Sequence, residues 1–136
     1  MTAVLADTHT IVWWLTDDRA ALSDAASSAL AAADESDGIF VSAITLLDIW
    51  YATQKRDRPI TADQLRALDD AIADPAVNVH VLPVTAVDAR AAWEPSRGEL
   101  RDPFDRLILA TARVRGLPLV TADAQLRNID SVETVW

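Results

Sequence analysis

Four aspartates of this chain stand where its hydrophobic pattern calls for apolar residues. Asp7 ends the run Ala3 to Ala6, and Asp123 follows Leu117 to Val120 after Thr121 and Ala122. Both runs read as buried strands that release a carboxylate at the C-terminal end, the edge of an open parallel sheet at which ligands bind. Asp48 interrupts the apolar run Leu46 to Ala52, with Ile44, Tyr51 and Ala52 at helical spacing, so its carboxylate is expected on a surface that should be buried. Asp105 heads a helical stripe with Ile108, Leu109 and Ala112. An unpaired buried carboxylate costs several kcal/mol, and neighbouring carboxylates raise one another's pKa unless a cation intervenes. Oxygen donors alone point to Mg²⁺ or Mn²⁺. Such a site polarises a phosphoryl oxygen and activates water, which makes phosphodiester hydrolysis the leading chemistry. Plainer readings stand beside this one: Asp7 and Asp123 as helix caps, Asp48 as the partner of Arg106, and Asp102, just before Pro103, as an N-cap.

Composition narrows the field. At 136 residues, 51% of them apolar, the chain fits one globular domain over 1–136. No apolar stretch approaches the ~18 residues of a spanning helix, and no secretory pattern opens the chain, so the expected location is the cytoplasm, away from membranes. The absence of cysteine excludes disulfides, thiolate catalysis and cysteine-held metals. Three glycines are too few for a dinucleotide fingerprint or a phosphate-cradling loop. A net charge of −9 argues against a nucleic-acid partner, but the charge is uneven. Before Arg90 there are 14 acids and 5 bases, and from Arg90 onward 7 of each, so that half turns basic once Asp102, Asp105 and Asp123 are assigned to a site.

The elements that must position these acids follow from local signals. After the first strand a helix spans Thr8 to Leu15, and an alanine-rich helix spans Leu22 to about Ala33. Gly38 precedes a strand at Ile39 to Val41, and Ser42 caps a helix from Ala43 to about Gln54. Lys55 to Pro59 is a polar connection, and Thr61 with Gln64 forms a capping box for a helix reaching about Asp74. A strand runs from Val77 to Leu82, and Thr85 caps a helix to Trp93. Past an exposed loop at 94–101, Pro103 opens a helix that Gly116 closes. The strand to Val120, a short helix at Ala124 to Arg127 and a strand at Glu133 to Trp136 complete an α/β fold on a mainly parallel, five-stranded sheet.

Other residues are candidates for supporting roles. His9, Arg97, Arg101 and Arg106 are candidate phosphate contacts, with solvation or ion pairing as the plain alternative. Trp13 and Trp14 cannot both face one side of a helix, so one of them is expected at an interface.

The segments LADTHTIVWWL, VSAITLLDIW, RDPFDRLILATA and LPLVTAD, in this order, resemble a PIN-domain ribonuclease of the VapC toxin type. The resemblance implies a three-layer α/β/α fold and a metal-dependent endoribonuclease, the toxin of a toxin-antitoxin pair. Its members are usually dimers, held inactive by an antitoxin in the acidic groove. Asp7, Asp105 and Asp123 match family acids, and Asp48 stands where the family usually has glutamate. Asp102 lies within the motif as a further candidate ligand, and Thr8 and Thr121 flank the strand-end acids as supports for metal-held waters or as simple caps. Two alternatives remain: a catalytically degenerate domain that only binds its antitoxin, and an aspartyl-nucleophile phosphatase using Asp7, for which His9 stands where a second acid is needed.

Overall fold

The computed structural model describes residues 2–57 and 59–136. The connection expected at 55–59 includes Arg58, which lies outside the described residues. Strand β1 (Val4–Ala6) leads into helix α1 (Thr8–Leu15), a single 3-10 turn (Arg19–Ala21) and α2 (Asp24–Asp34). β2 (Ile39–Ser42) runs into α3 (Ala43–Thr53), followed by α4 (Ala62–Ala73) and β3 (Val79–Leu82). Then come α5 (Ala86–Ala91), α6 (Pro103–Arg115), β4 (Leu119–Val120), α7 (Ala124–Arg127) and β5 (Thr134–Val135).

The five strands pair in the order β3-β2-β1-β4-β5, each pair parallel. From β1 the chain builds outward on one side through β2 and β3, then returns to lay β4 and β5 on the other. The switch point therefore falls between β1 and β4, and a doubly wound sheet opens its ligand crevice at the carboxyl ends of such a pair. Alternation along the strands feeds two cores. Val4 and Ala6 pack with Ile11, Leu30 and Ile49 on one face, while Leu5 and Leu119 pack with Ile108, Leu109 and Leu126 on the other. Helices thus cover both faces, giving three layers.

Local chemistry sets most helix ends. Ser42 accepts from the Ile44 amide, and the Thr61–Gln64 capping box forms in both directions. Gly116, at φ +64, closes α6 in the left-handed conformation that glycine adopts without a Cβ penalty. Strands β4 and β5 begin at Leu119 and Thr134, inside the expected runs from Leu117 and Glu133, and two other expected starts move for a visible local reason. Helix α2 begins at Asp24 because the Ser23 hydroxyl accepts from the Ala26 amide, leaving Leu22 buried but outside the helix. β3 begins at Val79 because Asp74 draws in the amides of Ala76 and Val77 to form a turn.

One acid that the pattern did not single out is a structural anchor. Asp88 is fully buried, closes a capping box with Thr85, and receives the Arg115 guanidinium at 2.6 Å. Burial pushes its carboxyl up, but the bonds from Arg115 and Thr85 outweigh burial and hold it below the ordinary aspartate value. The pair ties α5 to the end of α6. Asp88→Ala should cost about 3 kcal/mol, since it strands a largely buried guanidinium. The melting temperature should fall by roughly 10 °C, and an unchanged midpoint would show that water replaces the carboxylate.

Candidate active site

The four aspartates arrive from four separate elements. Asp7 follows β1 and caps α1, one carboxylate oxygen accepting from the Thr10 amide at 3.0 Å. Its other oxygen accepts from the Thr121 hydroxyl, which lies just past β4 and 114 positions along the chain. The same Thr121 oxygen receives the Asp123 amide at 3.1 Å, so one hydroxyl joins the ends of the two central strands. Asp123 caps α7 through the Gln125 amide at 2.8 Å. The capping reading and the site reading of these two acids therefore coexist in the same side chains.

Asp48 projects from α3 and accepts from the Thr8 hydroxyl at 2.6 Å, which links α3 to the start of α1. The expectation that its surroundings would be buried needs correction. Leu46, Leu47, Trp50 and Tyr51 are each 40–48% exposed, because α3 spends only Thr45, Ile49 and Ala52 on the core and leaves an apolar outer face unpartnered. Asp48 itself is half-buried. Asp102 caps α6, accepting from the amides of Phe104 and Asp105, and Asp105 follows on the first turn.

All five acids, Asp7, Asp48, Asp102, Asp105 and Asp123, line one cleft of about 570 Å³. Their charges accumulate there. Burial, and then the charges of Asp102, Asp123, Asp7 and Asp48, push the Asp105 carboxyl up to about 7. Burial also raises Asp7, against the opposing bonds from Thr121 and Thr10 and the charge of His9. An all-oxygen cluster under this much mutual repulsion suits a hard divalent cation. As they stand, no three acids among the described residues close around a single point.

The basic candidates divide. His9 lines the cleft, whereas Arg97 and Arg101 are exposed and do not line it. Arg106 points elsewhere, its guanidinium donating to the carbonyls of Ala92, Pro95, Ser96 and Leu100. It pins the loop before α6 and makes no ion pair with Asp48. The pair Trp13 and Trp14 also divides: Trp14 is buried beneath the Arg19 guanidinium, and half-buried Trp13 lines the cleft. Sequence reasoning passed over Trp13, Lys55 and Ile60 as cleft residues. The i, i+4 spacing of His9 and Trp13 was the available signal for the first of them.

With aspartates lining the switch point of a parallel sheet, the chain belongs to the PIN-domain family, whose sequence model matches residues 4–132. It is 37% identical over 129 residues to Ribonuclease VapC22 of Mycobacterium tuberculosis, covering 94% of this chain and 92% of that protein. Among solved structures it resembles VapBC2 from Rickettsia felis bound to a promoter DNA fragment, with a TM-score of 0.67 at 16% identity over 97% of this chain and 96% of that one. DNA-bound VapBC from Salmonella typhimurium gives a TM-score of 0.67 at 20% identity over 98% and 97%. These structural likenesses establish the three-layer fold that the sequence resemblance implied.

Proposed function

We propose that the chain is a divalent-metal-dependent endoribonuclease, a single nuclease domain over 1–136 that acts as the toxin of a toxin-antitoxin pair. The observation that carries this reading is the convergence of Asp7, Asp48, Asp105 and Asp123 on one cleft in a chain 37% identical to a ribonuclease. These four residues would hold Mg²⁺ or Mn²⁺, with Asp102 supporting them. The cation would polarise a phosphoryl oxygen and make a water acidic enough to attack at neutral pH. The protein's own contribution is orientation. Thr121 fixes Asp7, Thr8 fixes Asp48, and the caps of α6 and α7 fix the backbone beneath Asp105 and Asp123. His9, which lines the cleft, would meet a phosphate there, and exposed Arg97 and Arg101, which do not line it, would meet the RNA strand outside. Arg106 serves the loop.

The partners follow from the same reading: an RNA substrate, an antitoxin that fills the acidic groove, and a second copy of the chain. The bare apolar face of α3 is the kind of exposed patch that marks a protein contact. No described helix is long and apolar enough to cross a membrane, and the reading places the protein in the cytoplasm.

The test is incubation with total RNA in Mg²⁺ or Mn²⁺, with and without chelator. Cleavage that the chelator stops supports the reading, and RNA left intact under every condition removes it in favour of a degenerate domain. Asp48→Glu adds the methylene that the family usually carries. It should lower the metal concentration for half-maximal cleavage by roughly tenfold, and no shift would place Asp48 outside the metal's reach.

A further inference from the structure

The cleft continues beyond those five acids to a wall of different chemistry, where one further acid, Asp18, accepts from the Gln64 side-chain amide at 2.8 Å. His9, Val12 and Trp13 from one face of α1 meet Pro59 and Ile60, with Lys55 also lining the space. The Trp13 ring is fixed from two sides, by the His9 ring at 5.7 Å and the Trp136 ring at 5.9 Å between centroids. Lys55 is the chain's single lysine, is exposed, and makes no ion pair among the described residues. At about 570 Å³ the cleft is far larger than one ion and one phosphate require, and falls in the range of sites that enclose a whole organic ligand.

We propose that this wall is a nucleotide subsite, in which the Trp13 indole supports the base adjoining the cleaved phosphodiester and the Lys55 ammonium pairs with a neighbouring phosphate. The proposal rests on the reading of the acids as an RNA-cleaving site. It adds two substrate-binding residues, Trp13 and Lys55. A base can lie against an indole only when it is free of its own helix, so the wall selects unpaired strands or loops over duplex. Stacking is indifferent to base identity, because every base has a π-face. Among the described residues that line the cleft, Lys55 is the one lysine or arginine, and its ammonium is suited to holding a phosphate against the surrounding acids.

Binding tests this apart from catalysis, using an Asp105→Asn chain and labelled single-stranded RNA in Mg²⁺. Trp13→Leu added to that chain should raise Kd about tenfold, and Trp13→Phe should recover most of the loss. An abasic replacement at one nucleotide beside the cut should cost as much with Trp13 present and nothing in the Trp13→Leu chain, a coupling that a folding defect does not produce. Lys55→Gln should flatten the slope of log Kd against log salt by roughly 0.7 to 1. Unchanged Kd in the Trp13→Leu chain, or no position sensitive to base removal, overturns the subsite even if the unsubstituted chain cuts RNA. Loss of antitoxin binding alone overturns it too, by making the wall a protein contact. Trp13-dependent binding by a chain that never cuts RNA keeps the subsite and removes the nuclease reading.

Discussion

Asp105→Asn should abolish RNA cleavage and at the same time raise the melting temperature of the metal-free chain at pH 7 to 8. The two effects share one cause. Burial and four neighbouring carboxylates push Asp105 up to about 7, against roughly 3.9 in an unfolded chain. Between those values the folded chain holds a proton that the unfolded chain has released, so the stability contribution of Asp105 falls as pH rises through that window. Above it the full cost of the charge is present. Asparagine keeps the shape and removes the charge, so the variant should melt several degrees higher near pH 8 and show a flatter pH dependence between 4 and 7. Divalent cation should raise the midpoint of the unsubstituted chain, increasingly with concentration, and that of the variant less. Cleavage should fall by about a thousandfold or more, as loss of several kcal/mol of charge stabilisation requires. A variant that still cuts, or that melts lower at pH 8, contradicts the assignment of Asp105 as a strained metal-holding group.

Asp7→Ala should remove activity just as completely while moving stability the other way. Asp7 is buried, but both its oxygens are used, one by the Thr10 amide at the start of α1 and one by the Thr121 hydroxyl beyond β4. Losing the cap costs about 1 kcal/mol, and weakening the buried bond to Thr121 costs a further ~1–3 kcal/mol. Relief of a carboxylate whose pKa burial has raised returns part of this. A net loss of about 2 kcal/mol should appear as a lower denaturant midpoint with an unchanged slope. Asp7→Asn, which can still accept from Thr10, should lose activity with less of the destabilisation. If Asp7→Ala and Asp105→Asn shift stability in the same direction, the contrast drawn here between an integrated and a strained carboxylate is wrong.

The features that could be read from the sequence are those whose causes are local. The caps at Ser42, Thr61, Thr85 and Gly116 sit at the helix ends they were expected to set, because each acts on amides or carbonyls within a few residues. The strand-end placement of Asp7 and Asp123 was legible for the same reason, since a buried run that stops at an acid is a short-range pattern. Features that depend on distant neighbours were not. Nothing near Arg106 in sequence announces that the carbonyls of a preceding loop will gather around its guanidinium. Asp88 reads as an ordinary surface acid until Arg115 arrives from the far end of α6. The outer face of α3 was misread because an apolar run specifies only that something will cover it, not that the same chain will.

The single hydroxyl that joins the two central strand ends also sets when the cleft comes into being. Thr121 reaches Asp7 across 114 positions, and Asp123 follows it. Asp7 and Asp48 therefore wait, while the positions up to Thr121 are made, 114 of them from Asp7, for a two-residue strand to emerge and slot beside β1. Pairings this distant in sequence are the slow ones to form. A partly made chain carries Asp7 and Asp48 without the counterparts that complete their cleft. For a protein whose chemistry would threaten the RNA around it, including the message being translated, late assembly of the cleft delays activity until the fold is complete.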